Sequence, residues 1–141
     1  MTDQAIITRC GNGSMEGIWK DTEDCYPLLP RERMTGIVVR DFERSELFLN
    51  ASEVTPAMRT YTDGTWLDFS KTMDQRDAPR AIQPGAYLVT FEGRRSACSK
   101  IDGKLNGYGH MNQYRDFAVI DRLISWKMVA DWPDARAGNG S

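Results

Sequence analysis

His110 is the only histidine among the 141 residues, and it lies in the segment KIDGKLNGYGHMNQYRDF (residues 100–117). Glycine and asparagine, which tolerate positive φ, recur in this segment, so we predict a loop. A single imidazole excludes mechanisms that use one histidine as base and a second as acid. It permits a small hydrolase or nuclease in which His110 acts with a carboxylate and an arginine, for which Glu92 and Arg94 are the candidates. A solvated loop histidine is the simpler interpretation, because these residue types occur together in most proteins of this size.

A basic segment comes just before this loop. We predict a turn around Gly93 followed by a returning strand, so that residues 94–104 form a basic hairpin beside Tyr108 and Tyr114. The cations of this hairpin are Arg94, Arg95, Lys100 and Lys104. Modules that bind single-stranded nucleic acid combine such cations with aromatic rings for attraction and stacking. An arginine-rich hairpin tip can equally keep a strand edge soluble.

Signals for a metal or a cofactor are weak. The glycines have neither the order of a phosphate-binding P-loop nor the third glycine of a dinucleotide fingerprint. Cys10, Cys25 and Cys98 are too far apart in sequence for the short ligand pairs of structural zinc sites. Residues 21–24 are acidic but lack the spacing of a calcium loop. We therefore predict no metal site and no cofactor.

The composition predicts an ordinary globular domain. The chain is 40% hydrophobic and 27% charged, and 18 Lys and Arg against 20 Asp and Glu give a formal net charge of −2. This balance provides no net field toward nucleic acid or an anionic membrane. Widely spaced cysteines suit reduced thiols, and no long apolar run occurs, so we predict a cytoplasmic protein with no membrane partner. We expect one globular domain over residues 1–133 and a flexible C-terminal tail over 134–141.

Strand patterns outnumber helix patterns. Runs that are β-branched or alternate between apolar and polar residues, with turn residues at their ends, predict strands. These strands are at residues 35–42, 45–51, 63–69 and 86–92. The first two are close enough in sequence to form a hairpin. In the last, Tyr87, Val89 and Phe91 share one face, which is expected to point into the core.

The segment 116–129 fits two interpretations. It could be a helix, or two short strands joined at 121–123, and its β-branched content favours the strands. Short helices are expected at 55–59 and 72–80. The predicted fold class is α+β, mainly β: an antiparallel bent sheet or small barrel with one or two short helices.

Three motifs resemble a group of known proteins. DGTWLDF (residues 63–69), PGAYLVTFEG (84–93) and ISWKMVADWPDA (124–135) resemble the strands of short, uncharacterised phage and prophage accessory proteins. This resemblance implies a small protein that manipulates its host or counters a defence by binding. It implies no catalytic residues.

We therefore predict a non-enzymatic accessory protein, encoded by a phage, that binds and inhibits a host or bacterial defence protein. The alternatives are the single-histidine hydrolase or nuclease and a module that binds single-stranded nucleic acid through residues 94–104. A homodimer is also left open. The candidate partner contacts are Arg94, Arg95, Tyr108, His110, Tyr114 and Trp132.

Overall fold

The computed structural model describes residues 23, 27–60, 64–80, 82–97 and 114–131. In this part of the chain the strands are β1 (Glu32–Asp41), β2 (Arg44–Leu49), β3 (Thr65–Phe69), β4 (Gly85–Arg95) and β5 (Asp116–Asp131). These five strands form a closed barrel in the order β1-β2-β3-β5-β4. All pairings are antiparallel except that of β3 with β5, which is parallel.

The barrel interior is filled by apolar side chains from all five strands. Tyr87, Val89 and Phe91 point inward from β4, so that part of the prediction is confirmed. The other buried members of this cluster are Met34, Val38, Leu47, Leu67, Met73, Ala118 and Ile120. A small barrel is therefore confirmed, but the expectation of a wholly antiparallel sheet is wrong, because β3 runs alongside β5 in the same direction.

Two of the connections between strands contain a short 3₁₀ turn. Residues Pro56–Arg59 form a 3₁₀ turn that places Met58 against Ile37, Val39 and Ala86 on the outside of the barrel. A second 3₁₀ turn, Gln75–Asp77, begins where Asp74 accepts a hydrogen bond from the Arg76 amide. The described residues contain no helix of seven or more residues, so the helices predicted at 55–59 and 72–80 are only single turns. In this described part, no helix is long and apolar enough to cross a membrane.

The predicted hairpin is confirmed as β1 and β2, which pair from Gly36↔Leu49 to Asp41↔Arg44. Phe42 and Glu43 make the turn between them, one residue earlier than the sequence suggested. Glu43 takes a left-handed φ of 57°, which completes the tight reversal. The third predicted strand is confirmed as the shorter β3.

The segment 116–129 is neither a helix nor two strands. It belongs to one strand, β5, whose pairing with β4 is interrupted by three register shifts. Each shift leaves one residue of β5 without a partner, at Asp121, Ile124 and Val129. A bulge resets the inside–outside alternation, so the period of two is broken. This is why the pattern also fits a helix, and why Ile124 points to solvent instead of joining Ile120 in the core.

The predicted turn at Gly93 is also wrong. Gly93 lies within β4, opposite Ile120, and β4 continues to Arg95. Residues 94–104 therefore do not begin a hairpin at that point. The glycine is explained by the close approach of β5, because a Cβ there would overlap the carbonyl oxygen of Val119. The predicted tail at 134–141 lies outside the described residues.

Candidate functional site

One end of the barrel interior opens into a cavity of about 170 Å³, which we call the barrel mouth. The mouths of β-barrels are common places for small-molecule sites. Four strands contribute to this cavity, and its wall is part apolar and part polar. The lining residues are Leu47, Leu49, Thr65, Arg95, Ser96, Asp116 and Phe117.

Strand alternation explains why these side chains meet. Arg95 lies opposite Ala118, which is a buried core residue, so Arg95 occupies an inward position at the end of β4. Thr65 lies opposite both Leu47 on β2 and Asp116 on β5. Directly paired residues point to the same side of a sheet. Arg95, Thr65 and Asp116 are therefore polar residues at the last inward positions, where the apolar core ends.

Arg95 carries the clearest unsatisfied group of the barrel mouth. Its Nη2 lies 3.1 Å from Oε1 of Glu32, and both side chains are partly exposed. Its Nε is buried and has no hydrogen-bond acceptor among the described residues. A buried donor without an acceptor is unusual in folded proteins and requires an explanation.

The rim of the cavity holds the two ends of the long β4–β5 connection. Ser96 donates its backbone N–H to the carbonyl of Phe117 at 2.7 Å, and its hydroxyl accepts from the Phe117 amide at 3.1 Å. The Asp116 amide donates to the carbonyl of Gly64 at 3.0 Å. This clamp fixes where the connection leaves and rejoins the barrel. The candidates His110 and Tyr108 are in that connection but lie outside the described residues, as does Trp132.

Tyr114 was predicted as a partner contact, but its side chain is fully buried. Its ring meets Trp66 edge to face, with 5.1 Å between ring centroids. Together with Leu28, Phe117 and Val119 it forms a small cluster on the outside of the barrel. Tyr114 is therefore a packing residue, and a surface contact by this side chain is excluded in this structure.

Arg94 is held in an ion cluster rather than in a catalytic set. Its guanidinium donates to both oxygens of Asp121, at 2.8 and 2.7 Å, and to Glu23 at 3.0 Å. The hydrogen bonds to Asp121, more than those to Glu23, raise the pKa of Arg94. Glu23 also accepts from the Ser70 hydroxyl and the Lys71 amide. Arg94 thus links two strands to the segment that contains Glu23.

Glu92, the carboxylate of the hydrolase alternative, interacts with two arginines other than Arg94. It accepts a hydrogen bond from Arg31 at 2.9 Å and lies 3.7 Å from Arg122. Within the described residues, Glu92 and Arg94 lie on the same strand with separate ion-pair partners, and neither lines the barrel mouth. In this described part, no three His, Cys, Asp or Glu side chains lie close enough to hold a metal ion.

Side chains of β2 and β3 pack against other parts of the chain. Trp66 of β3 meets the Tyr114 ring edge to face. On β2, Arg44 makes a buried pair with Glu46 at 2.9 Å, and Arg44 also donates to the Thr60 carbonyl.

Sequence reasoning found Arg95 but missed the residues that surround it. Leu47, Leu49 and Thr65 were assigned only to strands. The sequence contained one indication of these residues, their position in the strands, since a polar residue at the last inward position of a strand marks the end of a core. That signal requires knowing which strands are neighbours, and the parallel pairing of β3 with β5 joins segments far apart in sequence.

No protein-family model matches the chain, and no curated protein or solved structure is similar enough to it to count as a match. The resemblance to phage accessory proteins therefore stays a prediction from the motifs.

Proposed function

We propose that this chain is a non-enzymatic protein-binding barrel that captures an extended segment of its partner along β5. The observation that carries the proposal is the edge of β5 over residues 121–131. β3 pairs with β5 only as far as Phe69↔Ile120, and the Ser70 amide closes that ladder on the Ile120 carbonyl. Beyond this point, β4 is the only strand of the described residues that pairs with β5.

An unpaired strand edge presents backbone N–H and C=O groups that a second strand can use. On this edge, Ile124 is 38% and Val129 is 42% exposed, so two large apolar side chains accompany the backbone groups. Both are bulge residues of β5. The half-buried Trp126 and Met128 lie between them and pack against the barrel interior.

The charges along this edge favour an acidic partner. Arg122 is 66% exposed although it lies 3.7 Å from Glu92, and Lys127 is exposed in the same strand. Asp121 is paired with Arg94 and the exposed Asp131 lies at the far end of the strand, so residues 122–130 carry only these two charged side chains, both cationic. Facing potentials of opposite sign select partners and speed association. The partner segment is therefore an extended strand in which Asp or Glu alternates with apolar residues.

The ion pairs of the described residues support this function over the alternatives. Binding of single-stranded nucleic acid through residues 94–104 required free cations, whereas Arg94 and Arg95 both have carboxylate partners. The hydrolase alternative needs Glu92 and Arg94 to act together with His110, whereas each of these two residues has its own ion-pair partner, Arg31 for Glu92 and Asp121 for Arg94. That the partner is a host or defence protein, and that the chain is encoded by a phage, remain predictions from the resemblance.

The test uses a fluorescent peptide of alternating Glu and Val, with a Lys/Val peptide as the charge control. We expect anisotropy to report binding of the acidic peptide that weakens with added salt, and little binding of the basic one. Hydrogen exchange should show new protection of amides within residues 121–131. Equal binding of the two peptides, or protection confined to other strands, would contradict the proposal.

Edge variants provide the matched comparison. Ile124→Lys and Val129→Lys place charges on exposed positions of the edge, so the barrel should fold while peptide binding falls at least about tenfold. Phe42→Lys is the control, because Phe42 is 78% exposed in the turn between β1 and β2, neither of which pairs with β5. If sedimentation instead shows a dimer that Ile124→Lys dissociates, the occupant of the edge is a second copy, and the peptide proposal is wrong.

A further inference from the structure

We propose that one outward face of the barrel binds the phosphate backbone of a nucleic-acid duplex. The face belongs to β1, β4 and β5, and its centre is a row of three hydroxyl groups, from Thr35, Thr90 and Ser125. We call it the hydroxyl face. It does not depend on strand capture at the edge of β5, because its contacts come from side chains on three strands and need no free backbone group.

The pairing of the three strands shows that these side chains point outward. Thr90 lies opposite Thr35 on β1 and opposite Ser125 on β5, and the hydroxyl oxygens of Thr90 and Thr35 are 3.0 Å apart. The chain neighbours of Thr90, Val89 and Phe91, are buried in the barrel core, so Thr90 faces away from that core. Thr35 and Ser125 are exposed residues. The three hydroxyls therefore lie on the outside of the sheet.

The hydroxyl row keeps hydrogen-bond donors for a ligand. Whichever of Thr35 and Thr90 donates in their mutual hydrogen bond, the hydrogen of the other hydroxyl is left over. Ser125 adds a second such hydrogen, and among the described residues no other group accepts from these hydroxyls. Serine and threonine hydroxyls are regular donors to the phosphates of a nucleic-acid backbone. The row can therefore donate at least two hydrogen bonds to phosphate oxygens.

Cations flank the hydroxyl row on both sides. On one side, Arg33 of β1 and Arg122 of β5 lie opposite Glu92 of β4. On the other side, Lys127 follows Ser125 by two residues, so the two side chains point the same way. Arg33 and Lys127 are exposed, and Arg122 is 66% exposed. A phosphate above the hydroxyl row is thus within reach of positive charge from both sides.

Glu92 offsets only part of this charge. It accepts a hydrogen bond from Arg31 at 2.9 Å and lies 3.7 Å from Arg122, so one carboxylate is shared by two arginines. The cations that face this single carboxylate are Arg31, Arg33, Arg122 and Lys127. The ion cluster of Arg94 borders the face, but its two carboxylates have side chains only 9% exposed. The face is therefore positive although the whole chain has a formal net charge of −2.

The spacing of the charges favours a duplex over other polyanions. Neighbouring strands are about 4.8 Å apart, so the cations of β1 and β5 are separated by roughly 10 Å. A duplex carries one phosphate per about 1.7 Å of its axis, whereas an extended acidic peptide presents one carboxylate per about 6.7 Å on one face. The denser array lets several phosphates meet the separated cations at once. Among the described outward positions beside the hydroxyl row, none holds an aromatic ring on which the bases of a single strand could stack.

The experiment titrates a short fluorescent DNA duplex with the whole chain and follows anisotropy, alongside the single strand and polyglutamate of equal charge. We expect the duplex to bind with a Kd of about 10⁻⁵ M at low salt, and the other two at least about fivefold more weakly. The logarithm of the association constant should fall with that of the salt concentration, with a slope of about −2.7 for three phosphate contacts. Amide shifts of the ¹⁵N-labelled chain should be concentrated in residues 33–35, 90–92 and 122–127.

Single substitutions test the contacts. Arg33→Gln should weaken duplex binding and make the salt slope less steep by about 1. Thr90→Val keeps the shape of the side chain and should weaken binding about threefold or more. Arg76→Gln is the charge-matched control, because Arg76 is 89% exposed in the Gln75–Asp77 turn, and it should leave the slope unchanged. Ile124→Lys, which blocks the edge of β5, should not weaken duplex binding, so the two proposals are tested separately.

Thermal melts check that each variant folds. If one does not, the salt dependence and the comparison of the three polyanions on the unchanged chain decide the question. Binding of the single strand or of polyglutamate as tight as that of the duplex would overturn the proposal. So would an affinity that does not change with salt, a salt slope that Arg33→Gln leaves unchanged, or no binding of the duplex.

Discussion

Gly93 shows how one residue permits the closing contact between β4 and β5. It lies opposite Ile120, next to the bulge at Asp121. A Cβ built on Gly93 would overlap the carbonyl oxygen of Val119 and come within 2.9 Å of the Phe91 ring. The obstacle is mainly backbone, which cannot move without disturbing the strand pairing. Any larger residue at this position therefore pushes the two strands apart.

We expect Gly93→Ala to lower the free energy of unfolding by about 2 kcal/mol or more, because overpacking against backbone is not relieved by a change of rotamer. Gly85→Ala is the matched control at the other end of β4. There the nearest atom is the flexible end of Met128 at 2.8 Å and the nearest backbone atom, the Ala130 carbonyl oxygen, is 3.2 Å away, so the cost should be about 1 kcal/mol or less. Urea unfolding measures both. Equal losses for the two variants would show that backbone contact does not decide the effect.

Tyr87 has an apolar ring and a hydroxyl in different surroundings. The ring lies 4.9 Å from the Trp126 ring, centroid to centroid, and the hydroxyl donates to the Gln83 carbonyl at 2.6 Å. Burial raises the pKa of Tyr87, and the charge of Arg40 opposes this rise. The folded state thus resists ionisation of this phenol.

The pH dependence of stability follows from this raised pKa. The contribution of Tyr87 is fully present below the unfolded-state pKa of 10.0 and is lost as pH rises from there toward the higher folded-state pKa. We expect Tyr87→Phe to cost about 1 kcal/mol at neutral pH, through the hydrogen bond to Gln83. The difference between the two proteins should shrink above pH 10, as measured by urea unfolding across pH. A constant difference would contradict the argument.

At the scale of elements, the regular strands were predictable and the irregular one was not. Tyr87, Val89 and Phe91 alternate strictly, so the inward face of β4 follows from the sequence. In β5, the bulge at Ile124 reverses the alternation halfway along the strand. The residue types around that bulge do not reveal it, because a bulge is fixed by the register of two strands. For the same reason the barrel mouth was predicted only in part: Arg95 was named as a candidate contact, whereas the residues of the other strands that line the cavity were not.

Arg94 connects β4 to β5 and to Glu23, so removal of its side chain should lower the free energy of unfolding. The carboxylates it holds, Glu23 and Asp121, have side chains only 9% exposed, so Arg94→Met would leave two nearly buried charges without their cation. We expect a loss of about 2 kcal/mol, below the range for fully buried pairs because Arg94 is 30% exposed. Arg122→Met is the control.

Arg122 is 66% exposed and 3.7 Å from Glu92, so its loss should cost about 0.5 kcal/mol or less. Thermal and urea melts of the two variants make the comparison. If both substitutions are equally mild, Arg94 is not a structural link, and its earlier assignment to a functional contact regains support.

At the scale of the whole molecule, closure depends on contacts between distant parts of the chain. β1 pairs with β4 from Glu32↔Gly93 to Arg40↔Gly85, and β3 pairs in parallel with β5. No local pattern specifies either pairing, which is why the closed barrel was only one of two predicted outcomes. Leu67 of β3 joins the same buried cluster as Val38 of β1 and Phe91 of β4. The five strands thus share one core.

This shared core predicts a single cooperative unfolding transition and slow folding. Because β1–β4 and β3–β5 contacts must form before the core is complete, we expect refolding in milliseconds to seconds rather than microseconds. Leu67→Ala should lower the free energy of unfolding by about 2–5 kcal/mol, since Leu67 is 1% exposed. Tryptophan fluorescence and far-ultraviolet circular dichroism should shift together to lower urea. Separate transitions by the two probes, or microsecond refolding, would show that part of the barrel folds without the long-range pairings.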